Sequence, residues 1–432
     1  MKPHFTTFFS DRGGMARVLR TVPWGVWYAL ISVTAALIVI SHRPDAVSNA
    51  QFWAEDGRVW YAQAYNLDPL AAFLLPEAGY YQTVSRAVAA FSLLVPLAWA
   101  PLVLNLFAIA VQAFNAFFIT SERMSHAVPS RLFRFGAAFI YLALPNSYET
   151  SANLTNTQWH LALTVLLIIF AKPAEEMAWK IFDIVAVALS ALSGPLCLLL
   201  LPIAAIKYFY RRERRLLILG SILLIGCVVQ FSALFTNERP SSEVLGASFF
   251  GAMRILAGQV FIGSLVGAKN YGLLRHSHLL WTDVLASIIA AGGVAVFVLA
   301  FIWGKQELRL LIIFAVLVFA TALVNPAVTK LEPQWIAMET PLTASRYWMF
   351  PGLAFLASLF FLATNPRVGR LRYLFILPAL LMIWGFVADW KQPRFKDLDF
   401  AAHAREFDAA RNGETVTIPI NPEGWTMQLQ KR

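Results

Sequence analysis

Glu55 and Asp56 stand side by side in Phe52-Trp53-Ala54-Glu55-Asp56-Gly57-Arg58-Val59-Trp60-Tyr61. The rings and apolar groups around them give the segment one aromatic side, as in a helix lying on a membrane surface with its rings at headgroup depth. Its carboxylates then point towards an interfacial cavity, or into solvent if the helix is only an anchor. Further on comes Pro76-Glu77-Ala78-Gly79-Tyr80-Tyr81-Gln82-Thr83-Val84-Ser85-Arg86. Gly79 permits a tight turn, and Arg86 opens an apolar helix, 87–95. An arginine beside a membrane-embedded surface is costly unless paired. Asp56, Glu55 or a lipid phosphate would pair it; a snorkelling side chain is the simpler alternative. In Arg275-His276-Ser277-His278 the histidines are too close to share a helix face. They could ligate a metal from an extended loop, although a pair that merely titrates is commoner. The chain has no CxxC, HExxH or P-loop, and Cys197 and Cys227 lie in apolar runs that suit packing, not a disulfide framework.

The elements that must position these groups are membrane helices. The chain has 432 residues, of which 58% are hydrophobic and 14% charged, and its mean hydropathy is +0.60. A soluble domain carries about 25% charged residues, so a soluble enzyme, a disordered chain and a nucleic-acid-binding module are all excluded. Eleven spans are predicted, over 23–41, 100–120, 133–146, 157–171, 180–193, 196–209, 215–235, 280–303, 309–325, 348–364 and 371–388. Ser193-Gly194-Pro195 separates the fifth from the sixth; one long kinked helix is the alternative there. With the N-terminus inside, the short inner segments are strongly net positive, and the run from Lys207 to Arg215 is the strongest anchor. The outer segments are the long ones: 42–99, 147–156, 236–279, 326–347 and a tail from 389. The net charge of +10 is thus read as topology and not as a nucleic-acid surface. In the tail, 400–412 reads as an amphipathic helix and 415–422 as an edge strand before Gly424-Trp425.

One span, an outer loop opening with an acidic pair, a Gly-Tyr-Tyr…Arg segment, many short spans and an outer tail come in that order. This order resembles the GT-C superfamily of polytopic glycosyltransferases, and most of all its bacterial members that take sugars from polyprenyl-phosphate carriers. Leu192-Ser193-Gly194-Pro195 with Pro202, and Arg346-Tyr347 with Pro351, add to the likeness. No WWDYG-like motif is present, so transfer of a whole oligosaccharide to asparagine is not implied. The resemblance implies an all-α polytopic membrane fold with interfacial helices in the first outer loop. Its transmembrane domain would cover 1–388 with the outer loop 42–99, and a small α/β tail would cover 389–432. It also implies that a carboxylate of the first outer loop acts at the acceptor, here Asp56 as general base with Glu55 orienting it or binding acceptor, or the reverse. Arg346, Arg86, Lys330 and Arg275 are the candidate ligands of the donor phosphate, with Arg254 and Lys269 as further cations. Tyr80, Tyr81, Asn153, Asn156, Gln158, Trp159, His160 and Trp425 are candidate sugar or acceptor contacts, since amides and rings read sugars by hydrogen bonds and stacking. Capping at the span ends is the plainer role for Asn153 and Asn156.

The implied reaction is inverting transfer of a monosaccharide from a polyprenyl-phosphate-linked donor to a surface glycan or glycolipid acceptor. The implied setting is the outer face of a bacterial inner membrane, with the N-terminus cytoplasmic and the C-terminus outside. Its partners would be the lipid-linked donor, the acceptor and membrane lipids. The resemblance fixes no cofactor and leaves a divalent cation open. A flippase of lipid-linked sugar and an O-antigen polymerase-like protein are the rivals. A transporter tends to place charges near midplane; here ionisable residues gather at span ends and in outer loops.

Overall fold

The structure, a computed structural model, describes residues 24–236, 244–277 and 280–432. The basic segment 1–22 and His278 lie outside them. The long helices in chain order are α1 (Trp24–His42), α2 (Thr83–Ser92), α3 (Ala100–Thr120), α4 (Arg131–Leu142), α5 (Thr157–Phe170), α6 (Met177–Ala191), α7 (Cys197–Arg211) and α8 (Arg214–Thr236). The apolar stretch from Phe249 to Val266 follows, then α9 (Asp283–Trp303), α10 (Gln306–Val324), α11 (Met349–Thr364), α12 (Arg372–Ala388) and α13 (Phe400–Ala409). Strands β1 (Thr415–Ile420) and β2 (Trp425–Gln430) close the chain as an antiparallel hairpin.

Among the described residues eight helices are long and apolar enough to cross a membrane, so the chain is a helical integral membrane protein. Each of the eleven predicted spans contains a helix, but α4, α5, α6 and α7, at 12 to 15 residues, fall short of that length. Helix α5 is apolar on every side because protein surrounds it: all its residues but Leu161 are buried. Helix α12 bounds the bundle, with Leu374, Leu377, Leu380, Trp384 and Val387 exposed. In a membrane this face meets lipid. Two helices, not one kinked helix, flank Ser193-Gly194-Pro195. Gly194 turns the chain at φ +106, and a Cβ there would collide with Gln158 Oε1. Its N–H donates to Tyr81 O at 2.9 Å, tying the turn to the first loop. Gly194→Ala is expected to cost about 1–3 kcal/mol, read as a lowered unfolding temperature; an unchanged one would refute the strain.

The bundle has two polar ends. At the far end, Arg123 grips Asp183 through two 2.7 Å bonds, Lys207 pairs with buried Glu307, and Arg215 caps α5 through the carbonyls of Ile168 and Ala171. These are the cations predicted for inner loops. The other end, the site end, gathers the first loop, the 147–156 turn, the 326–348 connection and the tail.

The stretch Phe249–Val266 puts a long apolar helical run into the outer segment 236–279, where no span was predicted. It meets the length and hydropathy of a span, yet both its ends lie at the site end. Arg254 bonds Asp283, the first residue of α9, at 2.5 Å and Glu339 at 3.0 Å. Just past the other end, Ala268 N donates to Asp389, the residue after α12, at 2.7 Å. Between them Phe261 packs on Phe297 and Phe355. The stretch is helical throughout and has both ends at the site end.

The tail docks on the first loop. Phe400, Ala404 and Phe407, one stripe of α13, meet Val416, Ile418, Ile420, Met427 and Leu429 of the hairpin and Phe52 and Tyr61 of the loop in one apolar cluster. Asn421 N donates to Phe52 O at 3.1 Å, and Ala54 N donates to Asn421 O. The predicted strand at 415–422 is β1; its partner β2 was not predicted.

Candidate active site

The acidic pair sits where the chain changes from extended to helical. Ala54 takes a left-handed φ of 45°. Asp56–Tyr61 then winds as a π-helix, a wide turn frequent at functional sites. The two carboxylates have opposite fates. Asp56 is 1% exposed. Its Oδ1 accepts from Thr155 N at 2.7 Å and Thr155 Oγ1 at 2.5 Å, and its Oδ2 accepts from Leu154 N at 3.0 Å. Burial pushes its pKa up to about 7 against the pull of these bonds, and Glu55 adds to the rise. Asp56 holds the 147–156 turn in place. Glu55 is half-buried and is the member of the pair that no hydrogen bond or ion pair among the described residues engages. Its charge acts on Tyr80, Glu77 and Arg346.

The Gly-Tyr-Tyr segment is a hairpin turn. Glu77 and Tyr80 exchange backbone bonds of 2.9 and 3.1 Å, and Ala78 and Gly79 both have positive φ, the signature of a type I′ turn. The turn puts Tyr80 beside Glu55, with its hydroxyl bonded to Gln158; burial and then Glu55 raise its pKa. The Tyr81 backbone is tied to the helices: its N–H donates to Gln230 Oε1 at 2.8 Å, and its carbonyl accepts from Gly194.

Arg86 is 2% exposed. Its guanidinium lies 5.0 Å from the Trp60 ring, and Nη1 donates to Gln63 Oε1 at 2.8 Å. Nε and Nη2 are buried without a partner among the described residues. Burial pulls its pKa down to about 10, with Glu77 opposing. Arg346, by contrast, is occupied. It meets Glu149 at 2.9 Å and Ala327 O at 2.5 Å, while Glu149 also accepts from the N–H groups of Ala344 and Arg346. Lys330 is exposed and Arg275 half-buried; neither makes an ion pair among the described residues.

Most of the amide-rich turn is spent on its own shape. Asn153 Nδ2 and Asn156 Nδ2 both donate to Glu149 O, at 2.6 and 2.8 Å. His160 is locked between Tyr141 Oη and Thr150 O, each at 2.8 Å. Trp159 is buried against Tyr347 and Phe350. Trp425 carries the Arg58 guanidinium 5.2 Å above its ring. Of the eight candidate sugar contacts, Tyr80 and Gln158 therefore share the surroundings of Glu55. His276 Nδ1 bonds Gly272 O within its helix. Among the described residues no three His, Cys, Asp or Glu side chains are grouped to hold a metal. Sequence reasoning missed Arg43, which is 1% exposed. It is clasped by the rings of Tyr148 and Phe395 at 4.5 and 4.6 Å and donates to Ser151 O. Its position at the end of α1, just before Pro44, was the available signal.

No family model matches the chain, and no curated protein does. A solved structure to which it is similar is ArnT from Cupriavidus metallidurans bound to undecaprenyl phosphate. The two are 13% identical with a TM-score of 0.38, over 85% of this chain and 74% of that one. A likeness at that level assigns no residue a role.

Proposed function

We propose that this membrane protein is an inverting glycosyltransferase that takes a monosaccharide from a polyprenyl-phosphate donor, with Glu55 as general base and Asp56 as the residue that positions it. The observation that supports this most is the unengaged carboxylate of Glu55 beside Tyr80 and Gln158, on a loop that also holds a buried arginine with two free donors. The acceptor hydroxyl attacks the anomeric carbon. As that C–O bond forms, its proton passes to Glu55. The bond from the anomeric carbon to the phosphate oxygen breaks, and its electron pair leaves with the polyprenyl phosphate. Arg86 Nε and Nη2 stabilise the charge growing there. Tyr80 and Gln158 orient the sugar. The site end faces the non-cytoplasmic side, in keeping with the cations gathered at the far end, and the acceptor is a surface glycan or glycolipid.

The direct test supplies the purified protein with polyprenyl-phosphate sugars and a glycolipid acceptor and weighs the product. Absence of transfer from every such donor would refute the reading. Arg86→Met keeps much of the volume over Trp60 and removes the donors. It is expected to lower kcat/KM for donor by about 10–100-fold, the worth of one or two charge-assisted hydrogen bonds. An unaltered kcat/KM would place the phosphate elsewhere.

A further inference from the structure

We propose a second anion site at the site end, with a lining that does not include Glu55, that takes a phosphate carrying neighbouring hydroxyls: the chemistry of a glycerophosphate headgroup. A cleft with about 300 Å³ of free space, counting the part open to solvent, is lined by Asn146, Ser147, Lys269, Asp389, Lys391 and Gln392. Two of these are cations. Lys269 is exposed and makes no ion pair among the described residues. Lys391 gives one bond, at 2.8 Å, to Ser41 O and keeps two N–H groups. The charge of Asp389 is partly spent, because its Oδ2 accepts the N–H groups of Asn146 at 2.9 Å and Ala268 at 2.7 Å.

The other half of the site is two acceptors. Asn146 is 3% exposed and held at a left-handed φ of 51°. Its Nδ2 donates to Gln259 at 2.9 and 3.0 Å, which leaves Oδ1 buried without a partner. Gln392 Oε1 is likewise buried and unpartnered. Buried acceptors call for an O–H or N–H, and free ammonium groups call for an anion. A bare phosphate meets only the second demand, and a neutral polyol only the first. A phosphate ester with free hydroxyls meets both. The cleft opens just past the end of α12, whose Leu377, Leu380, Trp384 and Val387 are exposed, so acyl chains running down that face would bring a headgroup to the two lysines.

The test uses the full chain in bilayers that contain phosphatidylglycerol and phosphatidylcholine in equal amounts, with retained lipid counted by native mass spectrometry. The wild type is expected to retain phosphatidylglycerol about tenfold over phosphatidylcholine. Lys269→Gln with Lys391→Gln, both exposed positions, is expected to lose that preference at an unchanged unfolding temperature. A second arm adds glycerol 3-phosphate to protein in detergent. A rise in unfolding temperature in the wild type alone would assign the same chemistry to a soluble ligand. Equal lipid retention by both proteins, with no response to glycerol 3-phosphate, overturns the site.

Discussion

Glu55→Gln is expected to abolish sugar transfer, by about 10²–10⁴-fold in kcat, with little change in unfolding temperature or in donor affinity. The substitution keeps the shape and removes only the capacity to take a proton. No hydrogen bond among the described residues depends on the Glu55 carboxylate, so the fold loses nothing when it becomes an amide. The loss should fall on kcat and leave KM for donor nearly unchanged, since an interaction used only as the hydroxyl gives up its proton is a transition-state interaction. Near-normal turnover by this variant would remove Glu55 from the chemistry. A collapse in stability would show that it is a structural group.

Asp56→Asn is expected to do the reverse. The carboxylate accepts three hydrogen bonds, from Leu154 N, Thr155 N and Thr155 Oγ1. An amide offers one oxygen, so its NH₂ must face a buried donor, at a cost of about 1–3 kcal/mol. The variant should unfold at lower temperature and transfer sugar more slowly because the 147–156 turn loosens, while some activity survives. The pH dependence gives a second reading. The Asp56 pKa is about 7 in the fold against an ordinary value of 3.8. Between those values the folded state binds a proton that the unfolded chain has released. Stability therefore falls as pH rises from about 4 to 7 and levels off above, by up to about 4 kcal/mol from this one group. Asp56→Asn should flatten that part of the stability curve. A variant with the wild-type slope would place the titrating group elsewhere.

Most of the spans were legible in the sequence because each is a largely apolar run with its charges near the ends, bounded by charge or by Gly and Pro. The stretch Phe249–Val266 was not, because Arg254 and Gln259 interrupt it and its neighbours are polar. Only Asp283, Glu339 and the backbone around Met338, brought from elsewhere, explain those two residues. The acidic pair was equally visible, but the difference between its members was not. Which carboxylate turns inward depends on Leu154 and Thr155, about a hundred positions away. Arg346 looked like a phosphate ligand for a similar reason, since its partner Glu149 lies 197 positions away. The strand β2 carries the alternation Met427 and Leu429 inward, Gln428 and Gln430 outward. Only pairing with β1 gives so short a pattern its meaning.

The backbone bridge between the first loop and the tail sets an order of events in biogenesis. Gln51, at the mouth of the loop, bonds Asn421, which is made 370 residues later. While the ribosome completes the intervening helices, the loop that carries Glu55 has been made but has no strand partner. The proposed base, Glu55, is thus among the first polar groups translated and among the last to be seated. A premature stop between the end of α12 and the hairpin would leave every bundle helix made and the loop without its strand partner.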